Sequence, residues 1–357
     1  MKLILAGGFL GSGKTTAIVH ACQHLMTEGK RVAVITNDQG DQQVDSAFAK
    51  SLGISTREVS NGCFCCRYDD LDAQLRSLEA DNHPDIVFAE SVGSCTDIIA
   101  TVAKPLLKYR SDISVVVAVF ADVDMLISFI EGRASFLEES VRYIYKKQLE
   151  EADLIVLNKV DLITNEQLAF VDNQIRKEYP GKNIVFQNSL RFDDIVAWLD
   201  TLDQLASRGE RDSLTIDYDL YGDGEAQLAW LDKSIIIQSP LGNGGFVTRQ
   251  IIRSIFNQLK QQQLTIGHLK FFVETDKWSD KISFTTASTS VDIKVPQENI
   301  QRVKLLINAR IQTDPVTLQV LVDNVLERVQ AVESSTIVTE QNSAFTPGFP
   351  QPTHRMV

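Results

Sequence analysis

The chain has 357 residues, 44% of them hydrophobic, with 35 Lys and Arg against 47 Asp and Glu, for a formal net charge of −12. That length accommodates two domains with their own cores. The acidic balance and the lack of a long Lys/Arg cluster argue against a nucleic-acid partner, and no apolar run reaches membrane-spanning length. Met1-Lys2 leads straight into the first apolar run, so no signal peptide is expected and a cytoplasmic location follows. In that compartment the five cysteines read as thiols or metal ligands rather than disulfides.

The first predicted element is a buried strand, Leu3-Ile4-Leu5-Ala6. It runs into Gly7-Gly8-Phe9-Leu10-Gly11-Ser12-Gly13-Lys14-Thr15-Thr16, after which Ala17 to Met26 reads as a helix with one apolar face. Gly8, Gly13, Lys14 and Thr15 fit G-x-x-x-x-G-K-[ST] in the strand–loop–helix context that motif requires. The glycines let the backbone curl until successive N–H groups face one centre, an anion nest backed by the helix N-terminus. Gly8, Gly11, Ser12, Gly13, Lys14, Thr15 and Thr16 are therefore expected around the phosphates of a nucleotide. Lys14 would reach the β- and γ-phosphates as a catalytic contact, and the Thr15 hydroxyl would bind Mg²⁺.

Arg31 to Asn37 is a second buried strand. It delivers Asn37-Asp38-Gln39-Gly40-Asp41 to the edge where parallel sheets hold their ligands. Asp38 and Asp41 are candidate ligands for Mg²⁺ or a transition metal, with turn-forming carboxylates as the alternative. A short helix is read over Ser46 to Leu52. The run Ser60-Asn61-Gly62-Cys63-Phe64-Cys65-Cys66-Arg67 then clusters Cys63, Cys65 and Cys66 in a way that scattered core cysteines do not. Thiolates are soft ligands suited to Zn²⁺ or Cu⁺. Neighbouring residues point apart, so a C-x-C-C run leaves the shell to be completed from outside, and an incomplete shell suits a transfer site. Arg67 is expected to lower the thiol pKa values by its charge.

A helix from Asp69-Asp70 to about Ala80 precedes a third strand, Asp85 to Glu90. Glu90 occupies the place of a Walker B acid and is the candidate for positioning an attacking water. Asp85, at the start of that strand, belongs at the opposite sheet edge. In Ser91-Val92-Gly93-Ser94-Cys95-Thr96-Asp97, Gly93 can approach a γ-phosphate by its backbone N–H and act as a switch. Cys95 reads as a packed loop residue, with a fourth thiol ligand as the alternative. Ser114 to Ala121 is a fourth strand, followed by Asp122 and a helix near Met125 to Ile130. Phe136 to Ala152 reads as a further helix and Asp153 to Leu157 as a fifth strand.

That strand runs into Asn158-Lys159-Val160-Asp161, the Asn-Lys-x-Asp pattern of guanine recognition. Asp161 can accept two hydrogen bonds from the guanine edge, where adenine offers no matching pair, and a buried unpaired carboxylate would reject ATP. A helix near Asn165 to Tyr179, a short strand from Asn183 to Gln187, Asn188-Ser189 near the base, and a closing helix over 190–205 complete this domain. Ser207 to Asp212 is a polar linker. Beyond it, strands over Ala229 to Gln238, His268 to Glu274, Lys281 to Ala287 and Arg302 to Ala309 and helices over Arg249 to Gln263 and Pro315 to Val329 suggest a small α+β domain. From Glu333 the chain is polar and aperiodic and reads as a mobile tail. His20, His24 and His268 read as ordinary packed or surface residues, with metal ligation as the alternative.

Together, the Gly8–Thr15 loop, Gly62-Cys63-Phe64-Cys65-Cys66, Glu90-Ser91-Val92-Gly93 and Asn158-Lys159-Val160-Asp161 resemble the CobW-like GTPases, relatives of the HypB and UreG metal-insertion GTPases. Asn37-Asp38-Gln39-Gly40 is similar to that family's Asn-Glu-Phe-Gly switch, with two departures. Trp230-Leu231-Asp232 and Gly267-His268-Leu269-Lys270 match its C-terminal domain loosely. The resemblance implies binding of GTP with Mg²⁺, slow hydrolysis, and handling of Zn²⁺, Co²⁺ or a similar ion.

The expected architecture is α/β, a P-loop NTPase with a mostly parallel central sheet over 1–206, a smaller α+β domain over 213–331 and a flexible tail over 332–357. The expected activity is that of a GTPase metallochaperone, with Cys63, Cys65 and Cys66 holding the transferred ion. Its partners would be GTP and GDP, a client metalloprotein or cofactor-synthesis enzyme, and a second copy in a homodimer. A GTP-dependent metal sensor or scaffold, a cobalamin-pathway P-loop protein, and an ATP-dependent kinase are the alternatives, the last opposed by Asp161.

Overall fold

Leu3, Ile4, Leu5 and Ala6 are at most 1% exposed, because both faces of their strand are covered, as a parallel sheet between helices demands. In the computed structural model, which describes residues 1–40, 43–133, 138–205, 211–286, 288, 293–296 and 299–357, the elements run as follows. First come β1 (Lys2–Gly7), α1 (Lys14–Thr27), β2 (Val32–Asn37), α2 (Val44–Ser51), β3 (Ser55–Val59), α3 (Tyr68–Asn82) and β4 (Ile86–Glu90). A π-helical turn, Ile99–Ala103, leads into α4 (Lys104–Tyr109). Then follow β5 (Ser114–Asp122), α5 (Val123–Ile130), α6 (Glu139–Glu151), β6 (Leu154–Asn158), α7 (Asn165–Glu178), β7 (Asn183–Gln187), α8 (Phe192–Gln204) and α9 (Tyr218–Ala226). The last elements are β8 (Ala229–Gln238), α10 (Gly244–Gln261), β9 (Ile266–Glu274), β10 (Ser279–Phe284), β11 (Arg302–Ile311), α11 (Pro315–Val332) and β12 (Thr336–Phe345).

The chain divides into two units. The first holds Met1–Gln39, Gly53–Glu225 and Phe349–Val357. Its seven strands form one sheet in the order β3-β2-β4-β1-β5-β6-β7, and every pairing is parallel. β1 is flanked by β4 and β5, so the loop that follows it emerges at mid-sheet, where ligands bind in such folds. The buried Trp198 of α8 packs on Phe88 and Phe120 with ring centroids 5.9 and 5.3 Å apart, locking α8 to β4 and β5. Asp85 lies at the far edge, as expected, paired with Arg31 at 2.9 Å. Arg211, the first described residue after 206–210, bonds the Asp153 carboxylate at 2.8 Å.

The second unit comprises Gly40–Leu52 and Ala226–Gly348. Its sheet, β10-β9-β11-β8-β12, is antiparallel throughout. Ile251, Ile255 and Leu259 of α10 and Leu318, Val322 and Val325 of α11 share a core with Leu231, Ile235, Phe271 and Leu305 of the strands. Val44 of α2 packs with Phe272 and Leu306, and Asp45 pairs with Lys270 at 2.5 Å and Lys281 at 3.3 Å.

These units differ from the boundaries expected at 206, 213 and 332. Residues 40–52 join the second unit because α2 finds its apolar and ionic partners there. The chain stays in the first unit to Glu225. The segment expected to be a mobile tail forms the edge strand β12 on β8 and then returns to the first unit at Phe349. Among the described residues, no helix is long and apolar enough to cross a membrane.

Candidate functional site

The loop between β1 and α1 is shaped by its glycines. Gly8, Gly11 and Gly13 have φ of 120°, 76° and 91°, a region that disfavours any Cβ. A Cβ on Gly8 would stand 2.1 Å from the Phe120 carbonyl oxygen, and one on Gly13 2.2 Å from Asn158 Nδ2. The loop is thereby pressed against β5 and β6. Lys14 is buried and its Nζ donates to the Gly8 carbonyl at 2.6 Å. Ser12 Oγ is buried and, among the described residues, has no hydrogen-bond partner, which fits a polar ligand in a loop whose N–H groups suit phosphate. Thr15 Oγ1 donates to Glu90 Oε1 at 2.8 Å. The hydroxyl expected to bind Mg²⁺ therefore stands beside the Walker B acid, an oxygen pair of the kind that suits a hard cation. Gly93 packs against the phosphate loop: a Cβ there would stand 2.5 Å from Leu10 Cδ2.

The β6 end carries the residues expected to recognise a guanine base, Asn158, Lys159 and Asp161. Asn158 Nδ2 donates to the Ser12 carbonyl at 2.8 Å, and its Oδ1 accepts from Ser189 N and Oγ at 3.1 and 2.8 Å. Asn158 thus splices the phosphate loop to the loop after β7. Lys159, at φ 66°, pairs with Asp122 at 2.6 Å. Asp161 is exposed, so its carboxylate is hydrated, and the expected buried acid is corrected to one that a ligand would have to desolvate. His20 Nδ1 meets the Ser189 carbonyl oxygen at 2.6 Å, whereas His24 faces Glu28 at 3.4 Å and Phe192. The pair does not converge as metal ligands.

Asn37, at the end of β2, organises the cysteine loop. Its Nδ2 donates to the carbonyls of Val59 and Gly62 at 3.0 and 2.7 Å, and its Oδ1 accepts from Phe64 N at 2.8 Å. Asn61 and Gly62 turn the chain with φ of 61° and 147°. Cys66 N and Arg67 N then donate to the Cys63 carbonyl at 3.0 and 2.9 Å, leading into α3. The result gathers three sulfurs within 4.8 Å of one another. Cys63 Sγ lies 2.6 Å from Cys65 Sγ and 3.2 Å from Cys66 Sγ, and Cys65 and Cys66 are 3.7 Å apart. A tetrahedral Zn²⁺ with Zn–S of about 2.3 Å spaces its sulfurs by about 3.8 Å, so loading would open the two shorter separations. Cys63 and Cys65 are buried and Cys66 is half-buried.

Arg67 does not lower these thiols: its guanidinium pairs with Asp70 at 2.6 Å. The hydrogen bond with Cys63, aided by burial, pushes the Cys66 thiol up to about 11. Contacts with Cys63, Cys66 and Cys95, together with burial, hold Cys65 well above the usual thiol range. Among the described residues no carboxylate or imidazole joins the three thiols at ligand spacing. Asp38, whose N–H donates to the Val59 carbonyl at 3.2 Å, is therefore outside the thiol cluster, and Asp41 lies outside the described residues.

The loop after β4 is held from several sides. Gln148 Nε2 donates to the carbonyls of Gly93 and Cys95, both at 2.9 Å. Ser94 Oγ donates to Glu225 Oε1 at 2.6 Å, Thr96 N to Tyr221 OH at 3.3 Å, and Tyr218 OH to Asp97 at 2.7 Å. Glu151 accepts from Thr96 Oγ1 and from Ile98 N, at 3.2 and 2.6 Å. Burial pushes Glu151 up to about 8 and Glu225 up to about 7. Cys95, expected to pack as an ordinary loop residue, is buried, with its Sγ 3.9 Å from the Thr96 carbonyl oxygen. The terminal segment adds a strap: Gln351 N donates to Cys66 Sγ at 3.2 Å, Thr353 N to the Cys65 carbonyl at 2.9 Å, and Arg355 pairs with Asp97 at 2.8 Å.

The profile of a family described as "CobW/HypB/UreG, nucleotide-binding domain" matches residues 2–186. The chain is 33% identical over 192 residues to a protein named zinc chaperone CobW from Sinorhizobium sp, covering 47% of this chain and 53% of that one. It is 32% identical over 170 residues to zinc chaperone YeiR of Escherichia coli (strain K12), covering 45% and 47%. The chain thus spans about half the length of the curated relatives it matches. Among solved structures, HypB from Helicobacter pylori in complex with nickel is 16% identical with a TM-score of 0.43, covering 58% of this chain and 91% of that one. With the profile covering more than half of its residues, the chain belongs to the CobW/HypB/UreG family, and the sheet from β1 to β7 is that family's nucleotide-binding domain.

Proposed function

We propose that this chain is a GTP-hydrolysing metallochaperone that carries a transition metal, Zn²⁺ foremost with Co²⁺ as the alternative, and passes it to a client protein. GTP would lie with its phosphates in the Gly8–Thr16 loop, Lys14 turning from the Gly8 carbonyl to the β- and γ-phosphates. The guanine would be read by Asp161, on a loop aligned through Asn158. Mg²⁺, held by Thr15 with Glu90 and Asp38 as the carboxylates beside it, would offset phosphate charge. Glu90 would orient the water that attacks the γ-phosphorus, giving GDP and inorganic phosphate. Cys63, Cys65 and Cys66 would hold the cargo ion.

One observation carries the coupling. Asn37 grips the cysteine loop through Gly62 and Phe64, and the next residue is Asp38. Any shift of Asp38 with the nucleotide state is passed to the thiols through one side chain. Reversing a two-state preference from 1:99 to 99:1 needs about 5.5 kcal/mol of differential binding, which loss of γ-phosphate contacts together with a metal ligand can supply. The test is Zn²⁺ affinity of the whole chain with a non-hydrolysable GTP analogue and with GDP. A difference of tenfold or more is expected, and equal affinities would defeat the reading.

A further inference from the structure

We propose that the surface under residues 351–356 is a peptide-docking site, held in this structure by the chain's own segment and taken over by an extended, basic segment of the client when the ion is passed on. The inference rests on the metallochaperone reading and adds where the client binds and what chemistry it presents. Pro352, His354 and Met356 are half-buried while Gln351, Thr353, Arg355 and Val357 are exposed, the alternation of an extended strand laid on a surface by one face. Its main chain makes contacts that a strand-like peptide of any sequence can make. Gln351 N donates to Cys66 Sγ at 3.2 Å, Thr353 N to the Cys65 carbonyl at 2.9 Å and Met356 N to the Ala100 carbonyl at 2.8 Å. Two side chains add specificity. The His354 ring stands edge-on to Tyr68 with centroids 4.8 Å apart, and lies 5.7 Å from the ring of Tyr109. Arg355 Nε donates to Asp97 Oδ2 at 2.8 Å, and the Asp97 side chain is only 1% exposed.

The placement suits delivery. Cys66 is half-buried where Cys63 and Cys65 are buried, so it is the thiol that a client meets first, and Gln351 now lies across it. A segment exposed at every second residue gains little from apolar burial, so a client peptide making the same contacts can displace it. A buried carboxylate stripped of its cation is costly. Asp97 therefore selects an occupant that brings an arginine or lysine, and Tyr68 with Tyr109 favours a flat ring one residue before it. The same carboxylate ties docking to the nucleotide. Its loop begins after Glu90 and packs through Gly93 on Leu10 of the phosphate loop, so a shift of that loop loosens or tightens the cationic anchor.

The probe is a fluorescent peptide copying residues 351–357, titrated by anisotropy into the full-length, metal-free protein. The resident segment competes at an effective concentration of roughly millimolar, so the unaltered chain should bind the probe weakly. Arg355→Ala weakens the resident segment and leaves the surface beneath it intact, and should raise probe affinity by about tenfold or more. A probe with glutamate in place of its arginine should lose that gain. Tyr109→Ala, which removes an exposed ring, should lower probe affinity when added to the Arg355→Ala chain. In the Arg355→Ala chain Cys66 should also react with iodoacetamide several-fold faster than in the unaltered protein, and saturating probe should restore the slow rate. Equal probe affinity in the two chains, or binding that leaves Cys66 unprotected, would overturn the proposal. The metallochaperone reading fails separately, by an absence of Zn²⁺ binding to the unaltered chain, on which the metal-free probe measurements do not depend.

Discussion

Asn37 Oδ1 accepts the backbone N–H of Phe64 at 2.8 Å, in the middle of the cysteine run and one residue before Asp38. Asn37→Ala removes this bond and the two that Nδ2 donates, at a net cost of about 2–3 kcal/mol in stability. Zn²⁺ affinities measured with a GTP analogue and with GDP should then converge while both remain measurable by competition titration. A preserved difference would mean that the coupling runs elsewhere.

Thr15 and Glu90 test the phosphate side. Thr15→Ala deletes the hydroxyl that Glu90 now accepts. Mg²⁺-dependent GTP turnover should fall by about 10²-fold, with GDP binding in the absence of Mg²⁺ little affected. Single-turnover phosphate release at saturating GTP checks this.

Asp161 is exposed, so Asp161→Asn should leave folding stability within about 0.5 kcal/mol. GTP affinity should drop by at least about 10²-fold and xanthosine triphosphate should become the better ligand. Competition against a fluorescent guanine nucleotide measures both. Strong ATP binding by the unaltered protein would reverse the guanine assignment.

Glu151 gives the stability curve a slope. Its ordinary value of 4.5 is raised to about 8 by burial, with Asp97 adding to the effect. The folded state therefore holds a proton that the unfolded state has released. The stabilisation is complete below about pH 4.5 and is lost as pH rises towards 8, at up to about 1.4 kcal/mol per unit. Thermal unfolding from pH 5 to 8 should show this decline, and Glu151→Gln should flatten it. An equal slope in both proteins would sink the assignment.

The strap over Cys66 is testable by ending the chain after Gly348. That removes the Gln351 N–H at Cys66 Sγ and the two Thr353 bonds to the carbonyls of Cys65 and Cys66. Cys66 in the metal-free protein should react with iodoacetamide several-fold faster, by peptide mass spectrometry, with Cys22 as the buried reference. An unchanged rate would show that the strap does not shield it.

Much of the nucleotide-binding unit is legible in the sequence because it is written in runs. The apolar strand before Gly8, the glycine spacing and Asn158–Asp161 each encode a local shape, and Asn183–Gln187 and Ala229–Gln238 fall where the strands do. Elements without a run escape. β3 reads Ser-Thr-Arg-Glu-Val because an edge strand has one neighbour and needs no continuous apolar face. β12 is likewise a polar edge strand, and its composition imitates a tail. α9 is obscured by Gly222 and Gly224, which are small because Phe349 and Ile144 press on them. Two parts of the site depend on proximity across many residues: Asn37 reaching Phe64, and Gln351 meeting Cys66. Spacing alone names the cysteine cluster but cannot supply its other partners.

The chain passes between its two units at 39/40, 52/53, 225/226 and 348/349. A single recombination event therefore cannot replace the second unit as a cassette, since any one crossover would strand α2, the returning terminus, or both. Exchanging the second unit whole would take joined breaks at both ends of 40–52 and of 226–348.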